Sequence, residues 1–147
     1  MSHYNVLWDV IAARVCQNSG TTPAEISDSN SAAGNAAKQR IAQIFILEVL
    51  LAKHRKTYST RYLPLSGEDA LHHLIFKRTG WLPVEIRSLS FNDSLFVLAE
   101  LFREENLPAG ANDFILKCGL SARTYPTDDF SEKDWAPREN EPLLSES

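Results

Sequence analysis

The amino-acid sequence predicts an all-α fold: a compact bundle of five or six helices around a central apolar helix, followed by an irregular acidic C-terminal tail. Three observations carry this expectation. Apolar residues recur at three- and four-residue steps through most of residues 1–120. The run from Ile41 to Ala52 is apolar around its whole circumference, broken only by Gln43 and Glu48. From Ser121 the periodicity stops and prolines and acids take over, so the helical domain is expected over 1–120 and the tail over 121–147. A chain of 147 residues suits one domain, and its 44% apolar and 23% charged content is that of a packed globule, which excludes wholesale disorder.

Val6, Leu7, Val10, Ile11 and Val15 fall on one stripe, which predicts a first helix over residues 4–18. Asp9 and Arg14 interrupt its apolar run, so it reads as a helix of the fold and not as an export signal. Gly20 supplies a left-handed helix end. The Ser-, Asn- and Gly-rich stretch 20–35 reads as a loop, within which Pro23-Ala24-Glu25-Ile26 can form one helical turn. The central helix is expected over 36–53. Its apolar run is well short of the roughly eighteen unbroken residues that a membrane span needs, so burial is the expected fate.

The basic run Lys53-His54-Arg55-Lys56 is expected to leave the core, its charge matching the negative end of the helix dipole, with 57–65 extended beyond it. Ser66 and Asp69 have the spacing of a capped helix start ahead of Ala70, Leu71, Leu74 and Ile75, and that helix should stop near Thr79-Gly80. Pro83 opens a short helix with Val84, Ile86 and Leu89. Ser90 and Asp93 repeat the capping spacing before Leu95, Phe96, Leu98, Ala99, Leu101 and Phe102. After the break at Pro108 and Gly110, a last helix over 111–118 should bury Phe114 and Ile115.

One pattern occurs twice. Asn18-Ser19-Gly20-Thr21-Thr22-Pro23-Ala24-Glu25-Ile26 and Arg78-Thr79-Gly80-Trp81-Leu82-Pro83-Val84-Glu85-Ile86 each place a helix-ending Gly, two residues, Pro, then Glu and Ile. This is a reused corner, in which Gly ends one helix, Pro starts the next and Ile packs between them. The first copy resembles the helix-turn-helix of bacterial repressors over residues 12–26, with Cys16 at the close contact, Gly20 in the turn and Ile26 facing inward. It departs from that pattern at Asp28-Ser29-Asn30-Ser31, which offers no apolar residue to complete a recognition helix. The second copy puts Phe76 at the close contact and offers Arg87 as a phosphate contact. It is also similar to a short Gly-Trp-x-Pro-x-Glu-Ile stretch near the C-terminus of some phage tail-assembly chaperones, a likeness from which no function is transferred.

No motif for covalent or phosphate chemistry is present: there is no phosphate-cradling Gly loop, Gly-x-Ser-x-Gly elbow or His-Glu-x-x-His. Adjacent His72 and His73 point about 100° apart on a helix and cannot clasp one metal together; Asp69 and His73 have the spacing of a carboxylate–imidazole pair. Cys16 and Cys118 stand alone and read as small core residues. A non-enzyme without metal or cofactor is the expectation.

Charge is distributed unevenly. Residues 36–63 carry six bases against Glu48, a local net of +5, with Tyr58 and Tyr62 interleaved; residues 124–147 carry seven acids and two bases, a net of −5. The tail could therefore lie against the basic stretch. The expected function is a non-catalytic, cytoplasmic protein–protein interaction module such as an adaptor, assembly factor or inhibitor, open to self-association and without a membrane. Trp81, Phe130 and Trp135 are its expected contacts. The alternative is a small DNA-binding regulator that uses Lys53, Arg55, Lys56, Arg61 and Tyr58.

Overall fold

The computed structural model describes residues 3–144; residues 1–2 and 145–147, including Glu146 of the acidic segment, lie outside the described residues. The fold is all-α. Its helices are α1 (Tyr4–Ser19), α2 (Pro23–Ser27), α3 (Ala32–Tyr58), α4 (Asp69–Thr79), α5 (Pro83–Arg87), α6 (Phe91–Val97), α7 (Ala109–Lys117) and α8 (Pro137–Asn140), with 3₁₀ turns at Ala99–Leu101, Glu104–Asn106, Glu132–Asp134 and Glu141–Leu143. Five of these helices have seven residues or more, and α2, α5 and α8 are single short turns.

α3 is the axis of the bundle, about 40 Å long at the rise of an α-helix. None of its residues from Gly34 to Ala52 is exposed, because α1, α2, α4 and the C-terminal segment pack around it. It extends beyond the expected 36–53 at both ends. At the start, the Ser31 hydroxyl accepts from the Gly34 amide at 3.0 Å and caps the helix earlier. Gly34 marks a close crossing, since a Cβ there would lie 1.9 Å from the Glu25 carbonyl oxygen. The Gly and Ser content that suggests a loop instead serves the packing of α2 against α3. At the other end, 53–58 stay helical: His54 is buried against α4, and Arg55 donates to the Leu65 carbonyl at 3.0 Å. The basic run is a platform for the following loop, not an exit from the core.

Leu7, Ile11 and Val15 from α1, Leu71 and Ile75 from α4, Ile86 from α5 and Leu98 close around Ile41, Ile44, Phe45, Leu47 and Leu51. Phe45 is fully buried and stacks on Phe114 of α7 at 5.3 Å, while Tyr4 and Trp8 meet it edge-on at 5.6 and 5.7 Å. Each such ring pair adds about 0.5–1.5 kcal/mol beyond area burial. Ser90 caps α6 through the Asp93 amide at 3.1 Å, as its spacing predicts. Ser66 does not cap α4; Glu68 holds that position without a side-chain bond, and the Ser66 carbonyl accepts from the Asp69 amide at 3.2 Å. α6 ends at Val97, which turns Phe96 outward to 83% exposure against the expectation of burial.

The acidic segment is not a solvated tail. It runs back across α3 and supplies partners to two buried side chains of the axis helix: Asp134 and the Ser131 carbonyl for Arg40, beside Gln43 and Asn92 of the helical domain, and Trp135 and Asn140 for Glu48. Arg40 pairs with Asp134 at 3.1 Å, both side chains fully buried, and donates to the Ser131 carbonyl at 3.0 Å and to Asn92 Oδ1 at 3.0 Å. Its guanidinium also lies 5.2 Å from the Phe91 ring and 5.8 Å from the Phe130 ring. Glu48 Oε2 accepts from Trp135 Nε1 at 2.9 Å and from Asn140 Nδ2 at 2.7 Å. Further along, Arg14 donates to Glu139 at 2.7 Å, and Arg55 lies 3.7 Å from Glu141. Through residue 144, the acidic segment thus rests on the basic helix of its own chain.

Candidate functional site

The repeated corner takes the same backbone course twice, with three of its hydrogen bonds reproduced. Gly20 (φ 78°) and Gly80 (φ 74°) both take the left-handed conformation, and their amides donate to the Cys16 and Phe76 carbonyls at 2.9 and 2.8 Å. The hydroxyls of Ser19 and Thr79 accept from the amides of Thr21 and Trp81 at 3.3 and 3.0 Å. Glu25 and Glu85 reach back to the amides of Thr22 and Leu82 at 2.9 and 3.2 Å. Ile26 and Ile86 then turn inward, and Ile86 is 1% exposed. Each second helix has five residues, about 7.5 Å, shorter than a recognition helix that lies along a DNA groove.

What differs is the outer surface. In the first corner the solvent-facing positions are Thr21, Thr22 and Ala24, and Thr22 caps α2 by accepting from the Glu25 amide at 3.2 Å. In the second they are Trp81, Leu82 and Val84, 42%, 63% and 69% exposed, and Leu82 has no oxygen with which to cap α5. The same backbone therefore needs none of these three apolar side chains. Behind them on α4, Phe76 is also exposed and lies 6.2 Å from the His73 ring, which is 5.6 Å from Tyr58. Lys77, Arg87 and Arg78 (the last paired with Glu100) are exposed on the two helices. The corner between α4 and α5 is the candidate site.

Its inner edge is an imidazole pair, His54 buried and His73 half-buried. His54 Nε2 and His73 Nδ1 are 2.8 Å apart, one donating to the other. Burial, with the nearby His73, Lys77 and Arg55, pushes His54 down to about 4, so it is neutral at pH 7. His73 is thus engaged by His54 from α3, a partner invisible in local spacing, which suggested Asp69. Among the described residues no cluster of three or more His, Cys, Asp or Glu side chains could hold a metal ion. Cys16 and Cys118 are half-buried, and desolvation pushes both thiols up, away from the thiolate form.

Of the three expected partner contacts, Trp81 is on the surface, while Phe130 and Trp135 pack against the core. Trp135 stacks on Phe91 at 5.0 Å, with its indole N–H committed to Glu48. Those two residues cannot serve as free anchors while the segment is docked. Of the expected nucleic-acid set, Lys53, Lys56, Arg61 and Tyr58 are exposed, but Arg55 is turned inward onto Leu65, Gly67 and Glu141. Tyr58 has one ring face covered by Lys77 at 5.1 Å, and Tyr62 by Arg61 at 5.2 Å. A cleft of about 300 Å³ beside α6 is lined by Leu95, Phe96, Phe102 and Thr127 among others, and Gln43 and Asn92 in its wall are already hydrogen-bonded to this chain. Sequence reasoning missed Leu82 and Val84 as surface residues, although comparing the two corner copies position by position would have found them.

No family model matches the chain, and no curated protein or solved structure matches it either. Among the described residues no helix is long and apolar enough to cross a membrane.

Proposed function

We propose that this chain is a non-catalytic protein–protein interaction module that docks its partner on the α4–α5 corner, with Trp81 as the central anchor. One observation carries the reading: the fold builds this corner twice, and only the second copy shows large apolar groups to solvent. The first copy demonstrates that Thr-Thr-Pro-Ala suffices for the geometry. Trp81, Leu82 and Val84 therefore serve something outside the chain, and a Trp flanked by aliphatics is the usual composition of an interface centre. Lys77 and Arg87 beside them favour a partner segment with apolar anchors and acidic flanks.

A nucleic-acid reading would need Tyr58 and Tyr62 to stack on bases and Arg55 to meet phosphates. The tyrosines each have one face covered by a cation of the chain itself, and Arg55 is engaged internally, which favours the protein partner. Two unpaired thiols suit a reducing, cytoplasmic setting.

The test is affinity capture from the native host with the full chain and with Trp81→Ala/Leu82→Thr/Val84→Ala, beside a first-corner control, Ala24→Ser. Loss of a partner from the triple variant, with the control unchanged, is the expected result. Identical partner sets for all three proteins would overturn the docking site, and DNA or RNA recovered equally with each would transfer the reading to the nucleic-acid class.

A further inference from the structure

The mechanics of the docked C-terminal segment hinge on one carboxyl. Glu48 sits in the middle of the axis helix and is 1% exposed. Its Oε2 receives both donors, Trp135 Nε1 and Asn140 Nδ2, while its Oε1 is buried with no hydrogen-bond partner. A neutral carboxyl in that position leaves one polar atom unmatched. A carboxylate leaves a full charge in a dry wall with one oxygen bare, a far costlier state. Lifting the segment away lets water reach both oxygens.

The surroundings do not neutralise that charge. From α3 itself Arg55 faces Glu48, but it also serves the Leu65 and Gly67 carbonyls and Glu141. From the segment, Glu141 opposes ionisation and Asn140 and Trp135 support it. From α1, Arg14 is engaged with Glu139 and Asn140 Oδ1 and does not bond Glu48. Phe91 of α6 contributes an apolar ring stacked on Trp135. Desolvation outweighs these donors and holds the Glu48 carboxyl at about 7 in the docked state, against an ordinary value of 4.5 in water.

Upstream the attachment is of another kind. Asp134 is fixed by Arg40 in a fully buried pair and by Asn18 Nδ2 at 2.8 Å. After it the segment is held by Glu48, by the stack of Trp135 on Phe91, by Arg14 through Glu139 and Asn140, by Glu141, which accepts from the Gly67 amide at 2.7 Å and lies 3.7 Å from Arg55, and by partial burial of Leu143 and Leu144.

We propose that residues 135–144 form a proton-gated strap: docked along α3 while the Glu48 carboxyl carries a proton, and released, hinged at Asp134, when that carboxyl ionises. The docked state binds the extra proton, so docking weakens as pH rises from the ordinary carboxyl range through neutrality. Release also frees Arg55 from Glu141, adding a cation to the surface that carries Lys53 and Lys56.

Amide hydrogen exchange on the intact chain tests this. After correction for intrinsic exchange, the opening constant of residues 135–144 is expected to rise about 70-fold between pH 5 and pH 8. Amides of α3 around Phe45 should keep their protection, which separates strap release from global unfolding. Glu48→Gln, which cannot ionise, should flatten the profile. A strap opening that changes less than about threefold in the wild-type chain, or an unchanged slope in Glu48→Gln, would overturn the proposal. Should that variant fail to fold, a carbon-13 titration of the Glu48 carboxyl in the wild-type chain decides alone: a midpoint near 7 supports the strap, and one near the ordinary 4.5 refutes it.

Discussion

Arg40 shows how much a single side chain can organise. It is fully buried, pairs with Asp134, and donates three further hydrogen bonds, to Gln43, Asn92 and the Ser131 carbonyl. Removing one partner strands the other charge in the core, so Asp134→Ala should cost about 3–5 kcal/mol in urea unfolding. The double variant Arg40→Met/Asp134→Leu should recover most of that loss, because the penalty belongs to the orphaned charge and not to the missing pair. Glycine positions separate in the same way. Gly34→Ala pushes a Cβ into the Glu25 carbonyl and should cost about 2 kcal/mol or more, measured by the shift in urea midpoint. Gly20→Ala meets nothing within 4 Å and should lose only the left-handed backbone term, about 1 kcal/mol.

Among the elements, the twin corners connect stability with surface. Leu82 stands at the cap position of α5, where Thr22 caps α2. Leu82→Thr should complete the reciprocal cap with Glu85 and raise stability by about 0.5–1 kcal/mol in thermal unfolding. The same change removes an apolar contact and should weaken capture of the proposed partner. A gain in stability with a loss of binding is the signature of a residue retained for its surface, whereas no gain would show that Leu82 already contributes to the fold. Element ends are readable wherever the signal is local: Ser90 before Asp93, Pro at each corner, Gly at the ends of α1 and α4. The signal misled where a distant segment decided. Ser31 and Gly34 read as loop residues because local composition does not show that one caps α3 and the other lies within it, where α2 crosses closely. Ser66 looked like a cap because spacing says nothing of backbone direction.

For the whole molecule, the C-terminal segment and the bundle share buried charges, so they should unfold together. Near pH 5, tryptophan fluorescence and far-UV circular dichroism are expected to give one urea midpoint, and a separate early fluorescence transition would show the segment to be independent. The global pH dependence follows from Glu48. Its folded value, about 7, lies above its value in water, so the folded chain binds the extra proton. The stability it contributes is full below the ordinary carboxyl range and declines by up to about 3 kcal/mol as pH rises through 7. This slope runs opposite to that of a salt-bridged carboxylate. Denaturation series at pH 5 and pH 8 measure it, and Glu48→Gln should abolish it.

By itself, the sequence determined the all-α class, the buried axis helix from Ile41 to Ala52 and the two Gly–Pro corners, because periodicity, capping and turn chemistry act between residues a few positions apart. Only the tertiary structure decided where the acidic segment goes, what Arg40 and Glu48 are for, and whether the apolar side chains of the second corner pack inward or face solvent. Those outcomes depend on charges and side chains brought together across some ninety residues of chain, where burial raises the cost of an unmatched charge until a distant partner must meet it.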